Sequence, residues 1–432
     1  MPDSEFALVV SMLTAGGLAG ALAAPYFNDR YGRRLTLFGT NFFLGMGSLM
    51  TTFASTANAM MIGRFVSGIG VGIVTVVVPA YIAECVPASK RGLFGALNQL
   101  AIVMGIMAAQ VVGLAWSTID TWRAILSVGV LLAVLQSCLL PFCIDSPRYL
   151  ASLPGGFNRA KKSLLRLRCG TIKQVEEEVT SWRREWAIED EAVEEEHGSV
   201  MIQTSHHPKV NSWIFLSSPY YQRPLTIVLL LQISQQLSGV NAVIFYSTSI
   251  MSTVFPESSG MITVYISIVN LAMTILSAFL MDKVGRRLLF LASSCLMAFM
   301  GFLLGWSIES GYHYTSAFAI IGFIASFAIG LGPIPFLMIP ELVETQAVSS
   351  ACSVGLAVNM ITNFIVSAGF LSLKNLLGGA QVFYVFSISL VILSAMAFYV
   401  LPETKGRSTD EVIRSGYSIY AGKYEPAYAT DL

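Results

Sequence analysis

Asp29-Arg30-Tyr31-Gly32-Arg33-Arg34 and, much later in the chain, Asp282-Lys283-Val284-Gly285-Arg286-Arg287 decide how this sequence is read. Each joins two long apolar runs through a turn so short that the runs must lie antiparallel, with glycine where the backbone reverses. The surrounding landmarks recur in the same order. Pro79 with Glu84 returns as Pro335 with Glu341, and Ser146-Pro147-Arg148 returns as Pro402-Glu403-Thr404-Lys405. Three collinear matches mean internal duplication. Duplicated helical halves are how many transporters form two bundles around one central site.

A hydrocarbon core of about 30 Å needs roughly 20 apolar residues in a helix. Eleven such runs emerge: Phe6–Phe27, Leu35–Ala54, Met60–Ala83, Leu93–Ser117, Ala124–Ile144, Leu225–Met251, Met261–Met281, Leu289–Ile308, Ser316–Ile339, Ala351–Leu373 and Val382–Leu401. With 54% hydrophobic and 12% charged residues, the chain carries about half the charge of an ordinary soluble protein. The expected fold is an all-α membrane protein of two pseudo-repeated helical bundles, with five and six transmembrane helices. The expected divisions are an N-terminal bundle over 1–146, a cytoplasmic linker with short surface helices over 147–223, a C-terminal bundle over 224–402 and a tail over 403–432. In the second half the Asp-x-x-Gly-Arg-Arg turn follows the second span; in the first half it follows the first. A counterpart of Leu225–Met251 is therefore expected before Phe6 in the ancestral plan of twelve.

Basic residues gather in alternate short loops: Arg30, Arg33 and Arg34; Lys90 and Arg91; Lys283, Arg286 and Arg287; Lys405 and Arg407. The positive-inside tendency makes these loops, the linker and the C-terminus cytoplasmic. The 26 basic and 26 acidic residues balance, so nothing favours nucleic acid as a partner. The six cysteines form no Cys-x-x-Cys pair, and Glu194, Glu195, Glu196, His197, His206 and His207 read as solvated loop, not a metal tract. No Walker loop, dinucleotide fingerprint or catalytic triad spacing appears, which leaves a pump or an enzyme without support and implies no cofactor.

The repeated turns have two readings. Their arginines hold the loops in the cytoplasm, or they latch onto carboxylates across the bundles. Recurrence beside Glu84 and Glu341 favours a cytoplasmic gate comprising Asp29, Arg30, Gly32, Arg33, Glu84, Arg91, Asp282, Gly285, Arg286, Arg287 and Glu341. In that gate Arg33 and Arg91 are expected to face Glu341, and Arg286 and Arg287 to face Glu84.

Within the spans, amides concentrate on particular faces, although an unbonded amide in hydrocarbon costs several kcal/mol. Gln232, Gln235 and Gln236 form one helical stripe, Asn359 and Asn363 another, and Gln99 shares a face with Gln110; Asn270 sits mid-span. Asn241 falls off the glutamine stripe of an ideal helix, but a break at Ser238-Gly239 would re-aim it. These amides either bond helix to helix or line a polar cavity. An uncharged cavity with aromatics such as Phe245, Tyr246 and Phe336 suits a ligand made of hydroxyl groups, because amides both donate and accept.

Together, Asp29-Arg30-Tyr31-Gly32-Arg33-Arg34, Gly63-Arg64, Pro79-Ala80-Tyr81-Ile82-Ala83-Glu84, Arg91-Gly92, Asp145-Ser146-Pro147-Arg148, Gln235-Gln236-Leu237-Ser238-Gly239-Val240-Asn241, Gly332-Pro333-Ile334-Pro335 and Pro402-Glu403-Thr404-Lys405-Gly406-Arg407 resemble the sugar porters of the major facilitator superfamily, especially the facilitative glucose transporters. The resemblance runs from Phe6 to Ile413. It implies the major facilitator fold, alternating access, and sugar contacts at Gln99, Gln235, Gln236, Asn241, Asn270, Phe336, Asn359 and Asn363. This chain departs from the family at Phe336 and Met360, where tryptophans are usual, and at Ala328, where a glutamate is. No basic residue follows Glu341 in Thr345-Gln346-Ala347-Val348.

The expected partners are a monosaccharide, a hexose such as glucose, and the lipid bilayer. Facilitated diffusion is the first reading. Proton-coupled symport, with protons as the coupling ion, is the alternative, as are a non-transporting sugar sensor and an inactive truncated isoform. The surviving spans hold no central Asp or Glu, which favours uniport. The expected location is the plasma membrane, or else a vacuolar or other internal membrane.

Overall fold

The structure is a computed structural model and describes residues 3–87, 90–116, 118, 120–153, 155–168, 172, 175–182, 210–244, 259–344 and 346–418. Phe245, Tyr246, Glu194, Glu195, Glu196, His197, His206 and His207 lie outside these residues.

Among the described residues, eleven long helices carry the fold. The first half contributes α1 (Asp3–Tyr31), α2 (Arg33–Thr52), α3 (Ala57–Cys85), α4 (Arg91–Trp116) and α5 (Trp122–Leu139). The second contributes α6 (Gln222–Leu237), α7 (Ser259–Val284), α8 (Arg286–Glu309), α9 (His313–Ile329), α10 (Val348–Leu377) and α11 (Val382–Val400). Ten of the predicted spans are both long and apolar enough to cross a membrane; the exception is α2. Its 20 residues are sufficient in length, and its Thr36, Thr40, Asn41 and Thr51 are buried against the rest of the bundle, not turned to lipid.

Packing repeats along with sequence. In the first half α1 and α2 pack on α3, and α2 on α5; in the second α7 and α8 pack on α9, and α8 on α11. The halves meet through two reciprocal seams, α1 with α10 and α4 with α7. Helix α6 packs on α10 and α11 and has no counterpart among the described helices of the first half. Accordingly α10 is well covered, whereas α4 and α5 expose most of their surface.

Two predicted spans are interrupted. The run Ser316–Ile339 is not one helix: α9 ends at Ile329, Gly330-Leu331-Gly332 turns, and Pro333 introduces a short helix, Ile334–Leu337. Pro333 and Pro335 lack the N–H groups that would continue the ladder. In Leu225–Met251 the helix stops at Leu237, Gly239 takes φ 80°, and helical residues resume at 240–244. Between the halves, Pro147–Ala151 and Phe157–Leu167 pack around buried Leu164 and Trp182. Arg168 of this segment donates to the Cys85 carbonyl at the end of α3, at 2.7 Å.

Candidate functional site

The proline-broken segment and the glutamine stripe of α6 form one unit. Because Pro335 has no N–H, the Leu331 carbonyl loses its helical donor. Gln235 Nε2 supplies one instead, donating to the carbonyls of Leu331 at 3.1 Å and Gly332 at 2.8 Å. One turn earlier, Gln232 Nε2 donates to the Pro335 carbonyl at 3.3 Å. Asn359 of α10 ties the stripe together: its Nδ2 donates to Oε1 of Gln232 at 2.7 Å and of Gln235 at 2.8 Å, and its Oδ1 accepts from Gln236 Nε2 at 2.9 Å. The break at Gly239 turns Asn241 back onto the stripe, where it donates to Gln236 Oε1 at 2.7 Å. All but Asn241 are buried. In this conformation the amides thus bond helix to helix. Asn270 and Asn363 are buried as well, Asn363 accepting from Ser367 at 2.8 Å.

A cavity of about 390 Å³ lies between the halves, at the end that carries both basic turns. The first half lines it with Pro79, Asn98 and Gln99, the second with Phe336, Arg286 and Glu341. Of the expected sugar contacts, Gln99 and Phe336 therefore reach this space, while the α6 and α10 amides stand behind the broken segment. Asn98 was not singled out in the sequence, since a lone polar residue near a helix start gives no pattern.

Toward the opposite end, Ser267 of α7 donates to Gln110 of α4 across the seam between the halves. Nearby, Leu114 lies only 2.9 Å from where a Cβ on Gly260 would stand. The halves are thus in close contact at one end and separated by the cavity at the other.

The expected pairing of the basic turns across bundles is not what the structure contains. Arg33 Nη2 meets Glu84 Oε1 at 2.5 Å, within the first half, and Arg286 Nη2 meets Glu341 Oε1 at 3.2 Å, within the second. Arg287 donates to the Phe398 carbonyl at 2.6 Å instead of reaching Glu84. Each arginine opens a helix that packs beside the helix leading to its own half's glutamate, and the cavity holds the other half away. The repeat extends further: Ser146 Oγ donates to the second oxygen of Glu84, and Thr404 Oγ1 to that of Glu341, each at 2.5 Å. Ser146 and Thr404 belong to motifs the sequence displays, but their partners are visible only in the fold. Burial pushes the Glu341 carboxyl above its ordinary range, against the opposing pull of Arg286.

Gly32 and Gly285 cap α2 and α8 at φ 80° and 101°, with extended ψ, a region essentially reserved for glycine. A Cβ on Gly32 would stand 2.4 Å from the Tyr149 ring, and one on Gly285 2.6 Å from Glu403. Glu403 accepts the backbone N–H groups of Arg286 and Arg287 at 3.0 and 3.2 Å, placing an anion at the N-terminus of α8. Arg30 donates to the Tyr26 hydroxyl at 2.9 Å. The side chains of Arg91 and Asp282 are outside the described residues, and Asp29 has interactions of its own.

Two repeated bundles of long apolar helices that meet at one end of their seam and part at the other around a cavity have the architecture of a membrane transporter. The family model described as "Sugar (and other) transporter" matches residues 2–415. A probable metabolite transport protein of Saccharomyces cerevisiae is 33% identical over 422 residues, covering 96% of this chain and 83% of its own length. Facilitated glucose transporter member 3 of solute carrier family 2 from Ovis aries is 34% identical over 423 residues, covering 95% and 82%. The proton:xylose symporter XylE, bound to 6-bromo-6-deoxy-D-glucose, superposes with a TM-score of 0.81 at 22% identity, over 96% of this chain and 90% of that one. The chain belongs to the sugar transporter family.

Proposed function

We propose that the protein carries a monosaccharide, a hexose such as glucose, across a membrane by alternating access, as facilitated diffusion. The observation that carries this reading is the uncharged amide block of Gln232, Gln235, Gln236, Asn241 and Asn359, set behind a cavity that Gln99 and Phe336 already line. Sugar hydroxyls both donate and accept, so they can exchange one for one with the amide–amide bonds. Gln99, Gln235, Gln236, Asn241, Asn270, Asn359 and Asn363 supply those bonds as the second half tilts, and Phe336 covers sugar C–H surface. Similarity to facilitated glucose transporters supports the substrate class.

The basic turns and the tail are cytoplasmic in this reading, so the cavity faces the cytoplasm and the Gln110–Ser267 contact seals the outside. Arg33–Glu84 and Arg286–Glu341 brace their own halves as rigid bodies in this state.

Uptake of radiolabelled hexose into proteoliposomes, with and without a pH gradient, tests the reading. Uptake independent of the gradient is expected. Accumulation driven by the gradient would replace facilitated diffusion by proton symport, and absence of hexose uptake in both conditions would overturn the transport reading.

A further inference from the structure

A second cavity, of about 290 Å³, lies away from the seam, between the basic-turn ends of α1 and α2, with Ile73 of α3 at its back. Its walls are Phe27 and Tyr31 from α1 and Leu35, Phe38 and Phe43 from α2. The two threonines that reach it are spent on backbone: Thr36 donates to the Gly32 carbonyl at 2.7 Å and Thr40 to that of Leu37 at 2.7 Å. The threonine hydroxyls therefore have no proton left to donate into the groove. The groove opens on the lipid-facing surface, where Tyr31, Leu35 and Phe38 are each about half exposed, and it follows α2 for roughly 12 Å from residue 35 to 43.

One end of the groove is not apolar. The Arg30 guanidinium lies 5.7 Å from the centroid of the Tyr31 ring, which forms the groove wall, and is itself exposed. The neighbouring arginines are engaged elsewhere, Arg33 with Glu84 and Arg34 with the Pro141 carbonyl at 2.8 Å. Tyr26 and Tyr31 hold Arg30 in place through one hydrogen bond and two ring contacts, which leaves further N–H groups of its fork for an incoming phosphate.

We infer that this groove binds an anionic phospholipid, with an acyl chain along α2 between Phe27 and Phe43 and the headgroup phosphate on Arg30. The groove's apolar run accommodates part of an acyl chain, and a basic site at the membrane surface selects negative headgroups, because a zwitterionic one brings its own ammonium against the guanidinium. The groove shares no lining residue with the cavity between the halves.

Gly39 supplies a clean test. It lines the groove, and a Cβ there meets nothing within 4 Å, so the position accepts a side chain, and a larger one is expected to fill the space. The purified full chain would be mixed with phosphatidylglycerol or phosphatidylcholine and retained lipid counted by native mass spectrometry. Wild type is expected to keep several-fold more phosphatidylglycerol. Arg30→Gln should bring the two lipids to parity, and Gly39→Phe should lower retention of both, with melting in neutral detergent confirming each variant's fold. Gly39→Leu, a smaller plug, serves if the phenylalanine variant does not fold. Equal retention of the two lipids by wild type, or unchanged phosphatidylglycerol binding in a folded Gly39 variant, would overturn the inference.

Discussion

Gln235→Leu removes the side chain that joins the broken segment after α9 to α6 and α10. Gln235 makes three bonds: two donated to the Leu331 and Gly332 carbonyls and one accepted from Asn359. Leucine of similar volume fills the space, so the cost is that of the orphaned polar groups and not of a cavity. In membrane proteins a side-chain hydrogen bond is worth about 0.6 kcal/mol on average, and three give about 2 kcal/mol. Orphaned buried groups push the figure toward about 3 kcal/mol. Unfolding in mixed detergent should show that loss. The mechanism makes a sharper claim in the background of Pro335→Ala. The new N–H at residue 335 sits in register to donate to the Leu331 carbonyl, so Gln235→Leu should cost about 1 kcal/mol less there than in the wild-type background. Equal costs in the two backgrounds would refute the view that Gln235 substitutes for the missing proline donor.

Arg33→Ala leaves Glu84 with little access to water, since the pair is only 10% and 8% exposed; a loss of about 3 kcal/mol is expected, largely restored by adding Glu84→Gln, and both are read from the same unfolding curves. Glu341 has a carboxyl raised by burial. Its protonated form is favoured in the folded state, so the stability it contributes is complete below its ordinary titration range and is lost as pH rises through the raised value. Glu341→Gln, which does not ionise, should therefore gain on wild type as pH rises from 4 to neutrality; parallel curves would remove burial as the dominant cause. Ser267→Ala deletes the bond to Gln110 that joins the halves at the closed end. About 0.6 kcal/mol shifts a two-state equilibrium roughly threefold, which thiol labelling of a cysteine placed at residue 114 would register as faster modification; an unchanged rate would separate this bond from the closure.

The helices, their number and their pairing into halves were legible because lipid imposes a simple rule: a spanning segment must be long, apolar and internally hydrogen-bonded. Even α2, the least apolar of the set, keeps its length and turns its threonines inward. The break at Ser238-Gly239 was legible for the same local reason, glycine at a positive φ. The interruption after Ile329 was less so, because Gly330 to Pro335 stands inside an otherwise continuous apolar run whose break depends on distant amides to bond its free carbonyls.

Composition, periodicity and the repeated Asp-x-x-Gly-Arg-Arg turn by themselves determined a duplicated helical membrane protein with uncharged amides in its second half. Those properties are local, set by transfer of side chains into lipid and by backbone conformation at single residues. Tertiary structure alone decided the partners. Arg33 could serve Glu84 or Glu341 by any rule of charge, and the packing of α2 beside α3, with a cavity between the halves, selects Glu84. The same holds for Gln235: its type declares that it must be bonded, but only the position of the broken segment determines to what.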